Sequence, residues 1–231
     1  IISEKWLRAK GVAGLWPCWR DGDDVVVYCE KTEAHIRLPF LRQQIAKREG
    51  KANMCLADFI SRDGDWIGGF AVTAGHGIET HLAGFKANMD DYSDIMLKAL
   101  ADRLAEAFAE RMHEHVRKEL WGYAPDEQFT SEALNREEYR GIRPAPGYPA
   151  CPDHSLKPTL FDLLDAFEHG LAGEFVGGGE GGGFGGGALG AFGCDDAKLG
   201  GGGCEAEVAV VLAKEEAVFG PAGEHAVGFG D

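Results

Sequence analysis

The sequence predicts an α+β domain, with strands gathered in its first third and long helices after them. Two short apolar runs bounded by turn residues, "DDVVVYCE" (23–30) and "WIGGFAVTAG" (66–75), read as strands. From Asp91 to Trp121 apolar residues recur at three- and four-residue steps, the period of a helix. The two kinds of element are segregated along the chain instead of alternating, which separates this design from a parallel βαβ one.

In chain order, "IISEKWLRAKGVAG" (1–14) reads as the end of a helix that stops at Gly11. Asp21 to Asp24 form the turn before the 23–30 strand, and "RLPFLRQQI" (37–45) follows as an extended or helical segment. "CLADFI" (55–60) reads as another strand, joined by the turn "SRDGD" to the 66–75 strand. Gly68 and Gly69 point to a bulge or a close backbone approach. In the long helix Leu97, Leu100, Leu104, Phe108, Met112 and Val116 make the apolar stripe. Asp90 and Asp91 suit its start and Gly122 its stop. Two further helices are expected, over 131–139 and over 159–166 just after Pro158.

The chain has 231 residues and a net charge of -15, which opposes nucleic acid or an anionic membrane as partner. No apolar run is long enough for a membrane span, and no signal peptide is expected. The chain opens at Ile1 in mid-pattern and reads as a fragment of a longer protein. Its six cysteines are scattered without a CxxC pair, so a reducing cytoplasm is expected, without disulfides or a structural zinc site. Two compositions divide it at residue 172. Residues 1–172 look globular, whereas 173–231 contain no Ser, Thr, Asn, Gln, Arg, Ile, Met, Trp or Tyr. In 173–203, 16 residues are Gly, which raises the entropy cost of ordering that segment.

The segment "RPAPGYPACPDH" (143–154) carries four prolines, which hold it extended and remove backbone donors. Its backbone at Ala145 and Tyr148 is therefore available to a ligand, and Gly147 permits a close approach. Arg143 offers a planar fork suited to a carboxylate, and Tyr148 a flat face and a hydroxyl. A flat ligand bearing an amino acid would suit this set. A Pro-rich surface loop whose Arg pairs with a nearby Asp or Glu would look the same. Asp102 and Glu106 share one face of the long helix, and Glu110 and His113 continue it. They read as a carboxylate wall for an ammonium or sulfonium, or as a solvated face. Glu110-x-x-His113 has di-iron spacing but no second copy, so no metal site is expected. Cys151 and His154 would need side-chain contact to act as a nucleophile and base; a buried Cys beside a surface His is the simpler reading.

"DDYSDIMLKALADRLAEAFAERMHEHVRKELWGYAPDE" and "YRGIRPAPGYPACPDHSLKPTLFDLL" resemble the C-terminal activation domain of cobalamin-dependent methionine synthase. "IISEKWLRAKGVAG", "FLRQQ", "CLADFI" and "GGFAVTAGHGIE" fit the same domain in the same order, over about residues 1 to 166. The resemblance implies a C-shaped single domain: a twisted antiparallel sheet with flanking helices and a groove for S-adenosylmethionine. It implies a role in reductive methylation of cob(II)alamin, with the electron from a flavodoxin or a flavoprotein reductase. The implied whole enzyme moves a methyl group from methyltetrahydrofolate to homocysteine. Its cobalamin, folate and zinc-bearing homocysteine modules are expected outside this chain, so no catalytic residue is assigned here. By the same resemblance the ligand carboxylate falls to Arg143, backbone contacts to Ala145, Gly147 and Tyr148, and the acidic contacts to Asp102 and Glu106.

Two departures from the family pattern stand out. By the resemblance, the N-terminal part of the family's domain, with an Asp that helps bind the ligand, is expected to be missing from this sequence. The C-terminal motifs expected within 173–203 survive only in traces such as "AFGCDDAK" (191–198), and the family's ligand-contacting tyrosine falls near Lys198 or Leu199. A domain that keeps the fold and docks without binding S-adenosylmethionine is the alternative these departures raise.

Overall fold

A computed structural model describes residues 1, 3–48, 50–147, 151–171 and 205–212. Its centre is a five-stranded antiparallel sheet in the order β3-β2-β1-β4-β5. The strands are β1 (Arg8–Asp21), β2 (Asp24–Cys29), β3 (Ala34–Pro39), β4 (Asp65–His76) and β5 (Glu205–Val211). The helices are α1 (Glu79–Ala87), α2 (Asp91–His115), α3 (Ser131–Asn135) and α4 (Leu156–Leu163). Among the described residues no helix is long and apolar enough to cross a membrane.

The period-two alternation of the strands divides the buried residues between two faces. Val12, Cys18, Val25, Val27, Ile67 and Val210 face one core, closed by Phe40, Leu56 and Ile60 and by Leu160 and Phe161 of α4. Ala13, Phe70, Val72, Ala209 and Val211 face the other, closed by Ala109, Met112 and Val116. The sheet is thus covered on both sides, and α2 sets the second layer.

The strands at 24–29 and 65–76 lie where the sequence puts them. The helix expected to end at Gly11 is instead the start of β1, which pairs with β4 from Arg8–His76 to Cys18–Asp65. Long-range pairing over that length overrides local helix signals. Gly11 is where the sheet meets the helix: a Cβ there would run into Met112 and Phe108. Pairing of β1 with β2 ends at Cys18–Val27, one residue short of Pro17, whose nitrogen has no hydrogen to donate. "CLADFI" is a 3-10 turn (Leu56–Phe59) and not a strand. The cause is Asp58, whose carboxylate turns back to the Cys55 N–H at 3.1 Å and also binds Arg42 and Arg20. Those bonds, Arg42 first, hold the Asp58 carboxyl below its ordinary range.

Helix α2 starts at Asp90, whose Oδ1 accepts from the Ser93 N–H at 3.0 Å. It continues as a π-helical turn (Val116–Leu120) and stops at Gly122, φ 70°. The apolar stripe differs from the expected one. Leu100 and Leu104 are exposed, at 37% and 45%, while Ala101, Ala105 and Ala109 are buried with Leu97 and Met112. The small residues let the helix lie close on the sheet and on α1, and the leucines one position away are rotated outward. The expected 131–139 helix is shorter, and the last helix starts earlier, with Pro158 inside its first turn. Strand β5 was not anticipated. The "EAEVAVV" it is made from offers the alternation, but the glycine-rich surroundings hide it.

Candidate functional site

The proline-rich segment enters the site as an extension of the sheet. Ile142 and Leu212 exchange two backbone bonds of 3.0 Å, and the Val210 N–H donates to the Pro144 carbonyl at 3.0 Å. Pro144 cannot return a bond, so pairing ends there. This short strip lies antiparallel to β5 at the edge of the sheet. Strand alternation then turns Ile142 into the first core and Arg143 toward α2. The same alternation turns the backbone N–H and C=O of Ala145 away from β5, toward the side where a ligand could use them.

Arg143 meets Glu110 of α2, Nη2 to Oε1, as an ion pair whose side chains are 15% and 41% exposed. The other oxygen of that carboxylate, Oε2, is buried with no hydrogen-bond partner among the described residues. Glu106 and Asp102 lie one and two turns earlier on the same helix face, both half-buried. Glu106 binds Arg103 at 2.6 Å. The structure therefore brings Arg143 to the acidic face of α2, but to Glu110 rather than to Glu106 or Asp102. The four-residue step from Glu106 was the signal for Glu110.

Gly147 has φ 110° and its N–H donates to the Cys151 carbonyl at 2.7 Å. The close approach it permits is made by the imidazole of His154, which occupies the place a Cβ would take. Tyr148 lies outside the described residues, as does the "AFGCDDAK" stretch. Cys151 is buried, and burial pushes its thiol up to about 12, so it is not a thiolate nucleophile paired with His154. Among the described residues no three His, Cys, Asp or Glu groups gather to hold a metal.

A buried network braces the strip from behind. Glu127 accepts from Arg117 Nε at 2.8 Å and from the Arg140 N–H at 2.8 Å. Arg117, 1% exposed, lies over the Tyr139 ring at 4.4 Å. Its Nη1 is 2.8 Å from His113 Nδ1. A guanidinium only donates, so Nδ1 accepts and Nε2 carries the hydrogen. Burial, and then Arg117, lowers the His113 pKa to about 3, which keeps the ring neutral. Tyr123 donates to the Arg140 carbonyl at 3.3 Å. Its hydroxyl and the Leu212 carbonyl fill the space beside Gly141, φ 89°. Gly141→Ala is expected to lower stability by about 1–3 kcal/mol through overpacking and a strained φ. Urea denaturation measures it; an unchanged midpoint would show that the strip can shift without cost.

A separate cleft of about 450 Å³, lined by Trp16, Tyr28, Trp66 and the Lys31–Asp165 pair, contains none of the strip residues.

The family model of the vitamin B12-dependent methionine synthase activation domain matches residues 1–172. A solved structure described as the MetH reactivation domain bound to AdoHcy is 41% identical, with a TM-score of 0.71. The match covers 94% of this chain and 62% of that one, so this chain spans under two thirds of its relative's length. With the sheet, the helix α2 and the strip in place, these matches fix the family: the chain belongs to the activation domains of vitamin B12-dependent methionine synthases.

Proposed function

We propose that this chain binds S-adenosylmethionine along the 143–148 strip and supports reductive methylation of cob(II)alamin in a methionine synthase. When bound, the ligand supplies the methyl group that returns oxidised cobalamin to use. The observation that carries the reading is the start of the strip: Ile142 and Pro144 are fixed to Leu212 and to β5 by three backbone bonds, with Arg143 between them held against α2. A strip already ordered loses less entropy when a ligand binds. The relative's bound AdoHcy, the product form of the same ligand, supports it. Arg143 would take the ligand carboxylate, and the backbone of Ala145 and Tyr148 its flat part, together with the Gly147 carbonyl, since the Gly147 N–H is bonded to Cys151. Asp102 and Glu106 would face its cationic centre. Residues 1–172 would supply most of the domain core and 173–231 the rest of the same domain; β5 lying in the sheet of the earlier strands supports the single domain. The cobalamin-binding module of the enzyme is the partner in this reading. A flavodoxin or flavoprotein reductase in the cytoplasm is the electron donor, and zinc belongs to the homocysteine module.

One observation favours the alternative, a domain that docks without binding the ligand: Arg143 already has a carboxylate in Glu110. Calorimetric titration of S-adenosylmethionine separates the two. The first reading expects binding, weakened by about 2–3 kcal/mol in Arg143→Ala. No binding to the unaltered chain would leave the docking reading.

A further inference from the structure

We propose that Glu110 receives the ligand's α-ammonium, so that Arg143 and Glu110 together read the amino-acid end of the ligand as a zwitterion. This rests on the ligand site proposed above and adds a residue to it. An α-amino acid carries its ammonium and carboxylate on one carbon. A pair that recognises both must present a cation and an anion side by side, on elements that hold them still. Arg143 on the sheet-edge strip and Glu110 on α2 are such a pair.

The state of the Glu110 carboxylate argues for a ligand rather than a brace alone. One oxygen binds Arg143 Nη2, while Oε2 is buried without a hydrogen-bond partner among the described residues. The Glu110 side chain is 41% exposed, but this one oxygen is withdrawn from water without a donor, and an ammonium, with three donors, would satisfy it. The neighbouring charges have other engagements. Arg111 binds Glu114 at 2.6 Å, Arg103 binds Glu106 at 2.6 Å, and the His113 ring is turned to Arg117. A planar guanidinium matches a carboxylate, and a carboxylate accepts readily from a tetrahedral ammonium.

The test is calorimetry on the 231-residue chain with two ligands, S-adenosylhomocysteine and its desamino analogue, which keeps the carboxylate and lacks the ammonium. The unaltered chain is expected to prefer the first by roughly 10- to 100-fold, the range for a hydrogen bond to a charged group. Glu110→Ala is expected to lose that factor for S-adenosylhomocysteine and to bind the analogue almost unchanged. Glu110→Gln keeps the shape and one acceptor, should lose less, and covers the case in which the alanine variant fails to fold. Equal weakening toward both ligands would make Glu110 only a brace for Arg143 and overturn the proposal, and so would no weakening at all. Arg143→Ala is the control for the site itself. If it binds S-adenosylhomocysteine as the unaltered chain does, the ligand site fails and the ammonium proposal with it.

Discussion

Glu127→Ala is expected to destabilise the fold by about 3–5 kcal/mol, the effect of stranding a buried charge. The charge is the Arg117 guanidinium, 1% exposed, whose Nε bonds to Glu127 at 2.8 Å. Its contacts with Tyr139 and His113 do not neutralise it, since one is an aromatic face and the other a neutral ring. Replacing both partners with apolar residues, as in Glu127→Leu with Arg117→Met, should recover most of the loss. Buried ion pairs contribute little net stability even though breaking one is expensive. Equilibrium denaturation of the single and double variants reads both quantities. A loss below about 1 kcal/mol in Glu127→Ala would mean that water reaches Arg117. The same variant should weaken ligand binding, because Glu127 also holds the Arg140 N–H, three residues before Arg143. The network links the end of α2 to the start of the strip.

That link shows what the sequence could and could not express. The central strands were legible because apolar runs bounded by turns are local signals. So was α2, from its capping Asp90 to its closing Gly122. Strand β1 was not, since it depends on eleven paired positions with β4 from Arg8 to Cys18. Its glycines and alanines carry no strand preference of their own. The choice of Ala101, Ala105 and Ala109 over Leu100 and Leu104 as the buried row is likewise a packing decision. A 3.6-residue period tolerates either row, and packing against the sheet at Ala109 and against α1 at Ala101 takes the smaller side chains. At the candidate site the residue types were readable: an arginine on a stiff strip and carboxylates on one helix face. Which carboxylate the arginine meets was not, because the answer depends on where β5 places the strip. That strand lies more than sixty residues further along and was unmarked amid glycine.

His113 predicts a pH dependence of comparable size. The folded chain holds its pKa near 3, by burial first and the Arg117 charge second, against an ordinary 6.5. In that interval the unfolded chain binds a proton that the folded chain refuses. The stability is therefore full above pH 6.5 and falls as the pH is lowered toward 3, by up to about 1.4 kcal/mol per unit. Burial lowers His76 and His154 in the same direction, so the unaltered chain's slope contains their share. Asp58 and Glu114, held low by Arg42 and Arg111, add their losses only in the carboxylate range. The window from about pH 6.5 to 4.5 thus belongs to the histidines. His113→Gln isolates one of them, since its amide oxygen can accept from Arg117 and its side chain does not titrate. Between those limits the unaltered chain should lose about 2 kcal/mol more than the variant, read from urea midpoints at each pH. Equal slopes would mean that His113 is reached by water and titrates normally, and Arg117 would then face a cation across 2.8 Å on acidification. The neutral ring is thus part of what lets a buried arginine sit beside the strip, and acid stability is where that arrangement becomes measurable.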